Sequence, residues 1–267
     1  MNKVLIVIPA RYASARYPGK PLVALKGATG VSRSLIERSW KAAKDVTGAT
    51  RVAVATDDTR IAEACKAFGA EVVMTSSTCV NGTERCAEAI GHFDEDYDIV
   101  VNLQGDAPLT PAWFVEDLVA ALADHPSAAM ATPVLRCDGR ALKSFLEDRA
   151  AGRVGGTTAV FDQNALALYF SKEVIPYTDN TYGDTADTPV FHHVGVYAYR
   201  PKILAQYPSW PVGSLETLEG LEQLRFLEQG QQILCVTVDA RNRQFWELNN
   251  PEDVPRLEAM MMEMDVE

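Results

Sequence analysis

The sequence lacks most of the marks of a membrane, secreted or metal-cluster protein. No apolar run in its 267 residues approaches the ~20 residues that span a bilayer, so no membrane insertion is expected. The N-terminus has no cleavable signal pattern: Lys3 leads directly into Val4–Ile8, then Pro9 and Arg11, and the cytoplasm is the expected compartment. Cysteine is sparse and odd in number, five in all at 65, 79, 86, 137 and 235. That spacing fits neither a disulfide framework nor a zinc site, and points to free thiols in a reducing compartment. Positive charge is short as well: 25 Lys and Arg face 36 Asp and Glu, a net −11, which argues against nucleic acid or an anionic membrane as partner. Internal repeats and low-complexity segments are absent. Neither phosphate-loop fingerprint is present, Gly-x-x-x-x-Gly-Lys-Ser/Thr or Gly-x-Gly-x-x-Gly.

What is there is the composition of a globular protein, 47% hydrophobic and 23% charged, long enough for one large domain or a domain with an excursion. Val4–Ile8 is a continuous β-branched and aliphatic run, the pattern of a strand buried on both faces. Strand-like runs at 51–56, 71–75 and 99–103 then alternate with helical ones at 34–44, 59–68, 84–90 and 111–123. This rhythm predicts βαβ units, an α/β fold with a mainly parallel sheet flanked by helices. Past residue 128 the rhythm changes. Residues 139–156 are charged and Gly-containing, with no clear element. Strands are expected at 157–161, 165–170, 194–199 and 233–238, with a polar loop over 180–189. Leucines at 215, 218, 221, 224 and 227 predict one helix over 215–228, and a last helix follows over 251–262.

Chemistry concentrates in the loop after the first strand. Arg11, Arg16 and Lys20 are three fixed cations separated by small residues, with Gly19 beside Lys20. Small residues let a backbone approach an anion, and Arg and Lys neutralise phosphate oxygens, so a polyphosphate is the expected guest. Asp106, in Gln104-Gly105-Asp106, follows the strand over 99–103. A carboxylate there projects into the crevice where open α/β sheets bind ligands, and suits Mg²⁺ bridging phosphates. Asp57, before the helix at 59–68, reads as its cap.

The blocks Ile8-Pro9-Ala10-Arg11-Tyr12-Ala13-Ser14-x-Arg16-x-Pro18-Gly19-Lys20-Pro21-Leu22, Val54-Ala55-Thr56-Asp57-Asp58, Gly82-Thr83-Glu84-Arg85, Val101-Asn102-Leu103-Gln104-Gly105-Asp106, His193-Val194-Gly195-Val196-Tyr197 and Leu221-Glu222-Gln223-Leu224-Arg225 resemble the 3-deoxy-manno-octulosonate (Kdo) cytidylyltransferase family, in the family's order and over nearly the whole chain. The resemblance implies a Rossmann-like nucleotidyltransferase fold with a smaller mixed-strand excursion. It implies a single cytidylyltransferase domain over 1–267, with residues 130–230 holding the sugar pocket and dimer contacts, and a homodimer. The implied reaction is Mg²⁺-dependent transfer of CMP from CTP to an acidic 2-keto sugar. By resemblance Pro9, Ala10, Arg11, Ser14, Arg16, Lys20 and Gln104 bind CTP, with Arg11, Arg16, Lys20 and Asp106 catalytic. Arg85, Gln104, His193, Tyr197, Glu222 and Gln223 line the sugar pocket, where the Arg85 fork suits a carboxylate.

The chain departs from the family pattern at three places. The second metal Asp, in Val-Asp-Thr-Pro-Glu-Asp, is Asn249 in Leu248-Asn249-Asn250-Pro251-Glu252-Asp253. Ala107 stands for the Glu of Gln-Gly-Asp-Glu-Pro. Cys79-Val80-Asn81 precedes Gly82 where the family has His-x-Ser. With Asp106 and Asn249 as the metal pair, one charge is missing. A cytidylyltransferase for a different acidic sugar or a phosphonate, and a non-catalytic CTP- or sugar-binding paralogue, are the alternatives.

Overall fold

A computed structural model describes residues 2–13, 17–154, 156–179, 181–241, 243 and 246–266. In chain order its strands and helices are β1 (Val4–Ala10), β2 (Ala24–Lys26), β3 (Ser32–Ser34), α1 (Leu35–Lys44), β4 (Ala49–Thr56), α2 (Thr59–Ala67), β5 (Glu71–Met74), α3 (Gly82–Ile90), β6 (Ile99–Leu103), α4 (Ala112–Asp124), β7 (Met130–Asp138), α5 (Gly139–Ala150), β8 (Thr157–Phe161), β9 (Ala167–Ser171), β10 (Asp187–His193), β11 (Val196–Tyr199), α6 (Pro201–Leu204), α7 (Ser214–Glu219), α8 (Leu224–Glu228), β12 (Ile233–Thr237) and α9 (Asp253–Glu263). The chain divides into two compact units. One comprises 1–116, 199–206 and 240–267, the other 117–198 and 207–239. No described helix is long and apolar enough to cross a membrane.

The first unit is built on a parallel sheet in the order β5-β4-β1-β6. Val4 to Ile8 are buried throughout β1, because neighbouring strands cover both edges and helices cover the faces: Ile6 registers with Val52 on one side and Val101 on the other. Helices α1, α2 and α3 start where the sequence supplies a cap. Ser34 Oγ accepts from the Glu37 amide and Asn81 Oδ1 from the Glu84 amide. Asp58, not Asp57, caps α2 by accepting from the Arg60 amide at 2.9 Å, so the expected cap is displaced by one residue. A separate antiparallel pair, β2–β3, joins the cluster of Leu25, Leu35, Leu109, Leu248 and the α9 residues Leu257, Met260 and Met261.

The second unit carries the mixed strands. β7 pairs in parallel with β12 and antiparallel with β10, and β10-β8-β9 continue antiparallel. The β8–β9 hairpin turns where expected, with Asp162 Oδ1 accepting from the Asn164 and Leu166 amides. The fold class is therefore the one read from the sequence, a mainly parallel α/β sheet flanked by helices, with an excursion of mixed strands. Three local expectations fail. Within residues 139–156, read without a clear element, 139–150 form α5 behind the Asp138 cap, following β7. The polar stretch before Pro189 already belongs to β10 from Asp187 onward. The helix over 215–228 is two short helices, because Gly220 at φ 62° closes α7 in the left-handed region. The Glu228 carboxylate reaches back from α8 to accept from the Leu215 and Glu216 amides, and the buried Arg225 grips Glu216 through two bonds of 2.7 and 2.8 Å.

Candidate active site

The first unit holds a cavity of about 340 Å³ at the C-terminal ends of β1 and β6, lined by Pro9, Ala10, Arg11, Lys20, residues 79–82, Arg85, Gln104 and Asp106. This is the size of a small-ligand site and the end of a parallel sheet where ligands bind. Lys20 Nζ lies 2.6 Å from Asp106 Oδ2. Several backbone contacts fix the pair. Gly19, at φ 72°, donates its amide to the Tyr12 carbonyl at 2.9 Å and starts the short turn that presents Lys20. On the other side, a side chain on Gly105 would come within 2.8 Å of the Pro9 carbonyl oxygen, so only glycine lets the β6 loop pass the end of β1. Ser39 Oγ, buried in α1, donates to the Gly105 carbonyl at 3.0 Å. Arg11 is exposed and donates to the Val80 carbonyl at 3.4 Å. Ser14 and Arg16 lie outside the described residues.

Arg85 reaches the cavity from α3. It is 3% exposed, donates to Thr75 Oγ1 at 2.6 Å and faces Asp57 Oδ1 at 3.3 Å. Cys79 also lines the cavity, but burial and the bond to Glu88 push its thiol up to about 12, so it is no nucleophile at neutral pH.

The second unit brings together three of the expected sugar-pocket residues. The Tyr197 hydroxyl donates to Gln223 Oε1 at 3.3 Å, and the His193 ring lies 5.7 Å from that of Tyr197. Gln223 Nε2 is buried with no protein partner, a donor that a ligand hydroxyl or carboxylate could satisfy. Thr132 Oγ1 is 3.0 Å from His193 Nε2 and within 2.9 and 3.3 Å of the Val196 and Val194 carbonyls. Its one proton goes to a carbonyl, so Nε2 is assigned as the donor and Nδ1 as the bare nitrogen. Burial first, then the neighbouring His192, push His193 down to about 3; it is a neutral hydrogen-bonding group. Glu222 is half-buried, and its carbonyl accepts from the Tyr207 hydroxyl at 3.0 Å.

A family model described as "Cytidylyltransferase" matches residues 5–233. A 3-deoxy-manno-octulosonate cytidylyltransferase of Maricaulis maris is 43% identical over 97% of this chain and 96% of its own length. The chain belongs to the 3-deoxy-manno-octulosonate cytidylyltransferase family. It is a nucleotidyltransferase. An 8-amino-3,8-dideoxy-manno-octulosonate cytidylyltransferase of Shewanella baltica is 39% identical over 97% of this chain and 98% of its own. A solved CMP:2-keto-3-deoxy-manno-octonic acid synthetase complexed with CTP superposes with a TM-score of 0.82 at 33% identity, covering 98% of this chain and 99% of that one.

Against the family's metal pattern, this cytidylyltransferase offers a reduced donor set. Among the described residues no cluster of three His, Cys, Asp or Glu could hold a metal. Yet the Leu248 amide donates to the Asp106 carbonyl at 2.9 Å, which brings the Asn249 segment beside the Asp106 loop. Asp253 holds that segment by accepting from the Asn249 and Asn250 amides at 2.9 and 2.7 Å and from Trp246 Nε1 at 2.9 Å. Burial works against its charge, but these bonds and Arg256 outweigh it and keep the carboxyl below its usual range. A carboxylate and an amide oxygen are hard donors suited to a Mg²⁺ that takes its other ligands from phosphate and water.

Sequence reasoning missed Asp57 and Thr75 as the partners of Arg85. The available signal was the place of Asp57 directly after β4, on the crevice side of the sheet.

Proposed function

We propose that this cytidylyltransferase transfers CMP from CTP to the anomeric hydroxyl of a 3-deoxy-2-keto-aldonic acid, Kdo or a close analogue, with release of pyrophosphate. The observation that carries the reading is the cavity lined by Lys20, paired to Asp106 at 2.6 Å, together with Arg11 and Arg85. Cations for a triphosphate and a fork for a carboxylate are what the two substrates need. The Maricaulis maris relative and the CTP-bound synthetase support the same choice.

The sugar oxygen attacks the α-phosphorus in line. A bond from that oxygen to phosphorus forms, the bond from the α-phosphorus to the bridging oxygen breaks, pyrophosphate leaves, and the hydroxyl proton passes to solvent. No enzyme nucleophile is needed, so catalysis rests on positioning and on neutralising charge. Lys20 and Arg11 hold phosphate oxygens, and Arg85 orients the sugar carboxylate. Asp106, with Asn249 as a neutral second oxygen, would hold Mg²⁺, which when bound supplies positive charge to the phosphates and acidity to the attacking hydroxyl.

The test is pyrophosphate release from CTP with Kdo, its 8-amino analogue and a panel of 2-keto acids, alongside thermal shifts with CTP, ATP and GTP. CTP should stabilise most, and a 3-deoxy-2-keto-octonic acid should give the highest kcat/KM. Equal stabilisation by all three nucleotides, or no release with any sugar acid, would refute the reading. The Shewanella baltica relative, nearly as similar, favours a second reading in which the 8-amino sugar is the better substrate. The two sugar arms separate them.

A further inference from the structure

Two of the three described cations lining the cavity are met by a carboxylate. Lys20 has Asp106 at 2.6 Å and Arg85 has Asp57 at 3.3 Å, while Arg11 donates to a backbone carbonyl. The Arg85 pair has a division of labour. Thr75 fixes the guanidinium: its hydroxyl accepts from Nη1 at 2.6 Å, and its own amide donates to the Thr56 carbonyl at 2.9 Å, tying it to the end of β4. Asp57 contributes charge, since its Oδ1 is buried and accepts no hydrogen bond. Nor is Asp57 needed to start α2, because Asp58 does that.

The geometry points to Asp57 as a specificity-determining residue. Its charge reserves Arg85 for a singly charged carboxylate and closes it to pyrophosphate and inorganic phosphate, which are left to the Lys20 side. This rests on the reading of Arg85 as the carboxylate fork. The Arg85 side chain is only 4% exposed, and a buried guanidinium without a counter-charge draws in whatever anion can reach it. Coulombic attraction grows with the charge of the ligand, so a polyanion would profit most from a bare Arg85. With Asp57 in place the polyanion is repelled in the same proportion. A monocarboxylate meets less repulsion and keeps its short-range paired hydrogen bonds to the fork. Without Asp57, the leaving pyrophosphate, or the triphosphate bound the wrong way round, would compete for the sugar's place.

The experiment is calorimetric titration of Mg²⁺-free inorganic pyrophosphate into the full chain as wild type, Asp57→Asn, and Asp57→Asn with Arg85→Met. Asp57→Asn should bind pyrophosphate about tenfold more tightly than wild type, and Arg85→Met in that background should restore the wild-type affinity. In turnover assays pyrophosphate should become competitive against the sugar acid in Asp57→Asn. An affinity within twofold of wild type would overturn the inference, as would tightening that survives Arg85→Met. If Asp57→Asn does not fold, Asp57→Ser makes the same charge change and is read the same way. The titration needs no turnover, so a wild-type protein inactive on every sugar acid would refute the reaction and leave the charge test standing.

Discussion

At the scale of single residues, the site is a set of charges balanced by neighbours from distant parts of the chain. Lys20 and Asp106 are 86 positions apart and meet at 2.6 Å. Each neutralises the other, and under the proposed function a triphosphate would have to draw Lys20 away. Lys20→Ala should remove about 2–4 kcal/mol of transition-state stabilisation, because a charged phosphate partner is lost. The melting temperature should move little, and unchanged kcat/KM would show the loop to be a solvated face. Asn249 offers the complementary test. Restoring a carboxylate with Asn249→Asp should tighten Mg²⁺ and raise turnover at low Mg²⁺, since one full charge of attraction is added. Asp106→Asn should abolish turnover in either background. If Asn249→Asp instead lowers activity at every Mg²⁺ concentration, Asn249 does not stand in for a metal ligand. Lys20 and Asp106 were legible because each follows a strand or a glycine in a recognisable motif. The Asp57–Arg85 pair was not, because an ion pair across β4 and α3 leaves no spacing signature in the chain.

At the scale of elements, the ends of β1 and β6 must approach closely for the cavity to exist, and Gly105 permits it. Gly105→Ala places a carbon 2.8 Å from the Pro9 carbonyl, a backbone atom that cannot swing aside. The expected cost is about 1–3 kcal/mol of stability, with a larger loss of turnover because Asp106 is displaced. A chemical denaturation midpoint and kcat measured together check it; unchanged values for both would mean the loop relaxes freely. Asn81→Ala should cost about 1 kcal/mol by uncapping α3. The parallel strands and the helices of the first unit were readable because a doubly buried strand is a continuous apolar run and the segments between those runs carry helical periodicity. The second unit was harder. Its leucines kept helical spacing across Gly220, yet Leu218 is 82% exposed while Leu224 is fully buried. Only the left-handed glycine and the Glu228 cap divide α7 from α8. α5 was hidden because a charged, glycine-containing stretch carries little periodicity; β7, which is held by partners on both edges, was given no element in the sequence reading.

At the scale of the whole molecule, stability should depend on pH through the two histidines of β10. His193 is enclosed by Phe170, Tyr197 and Thr132, and burial with the charge of His192 pushes it from 6.5 down to about 3. The half-buried His192 packs on Phe145 and is pushed down to about 4 by burial, a smaller shift than that of His193. Unfolded, both titrate near 6.5. Between that value and the folded ones, the unfolded chain binds protons that the folded chain refuses, so stability rises with pH across the window and is lost as pH falls. Above about pH 7 both states are neutral at these sites and the contribution is complete. Below pH 6.5 each histidine can remove up to about 1.4 kcal/mol per pH unit. The carboxyls held low, such as Asp253 and Glu173, lose their contribution mainly below their ordinary values of 3.8 and 4.5, so a scan from pH 7.5 to 5 reads chiefly the histidines. Melting temperature should fall progressively over that range, and His192→Phe should make the fall shallower by removing one titrating ring while keeping contact with Phe145. A melting temperature that stays flat down to pH 5 would mean that water reaches both rings in the folded state, and the neutral, donor-assigned His193 would have to be abandoned with it.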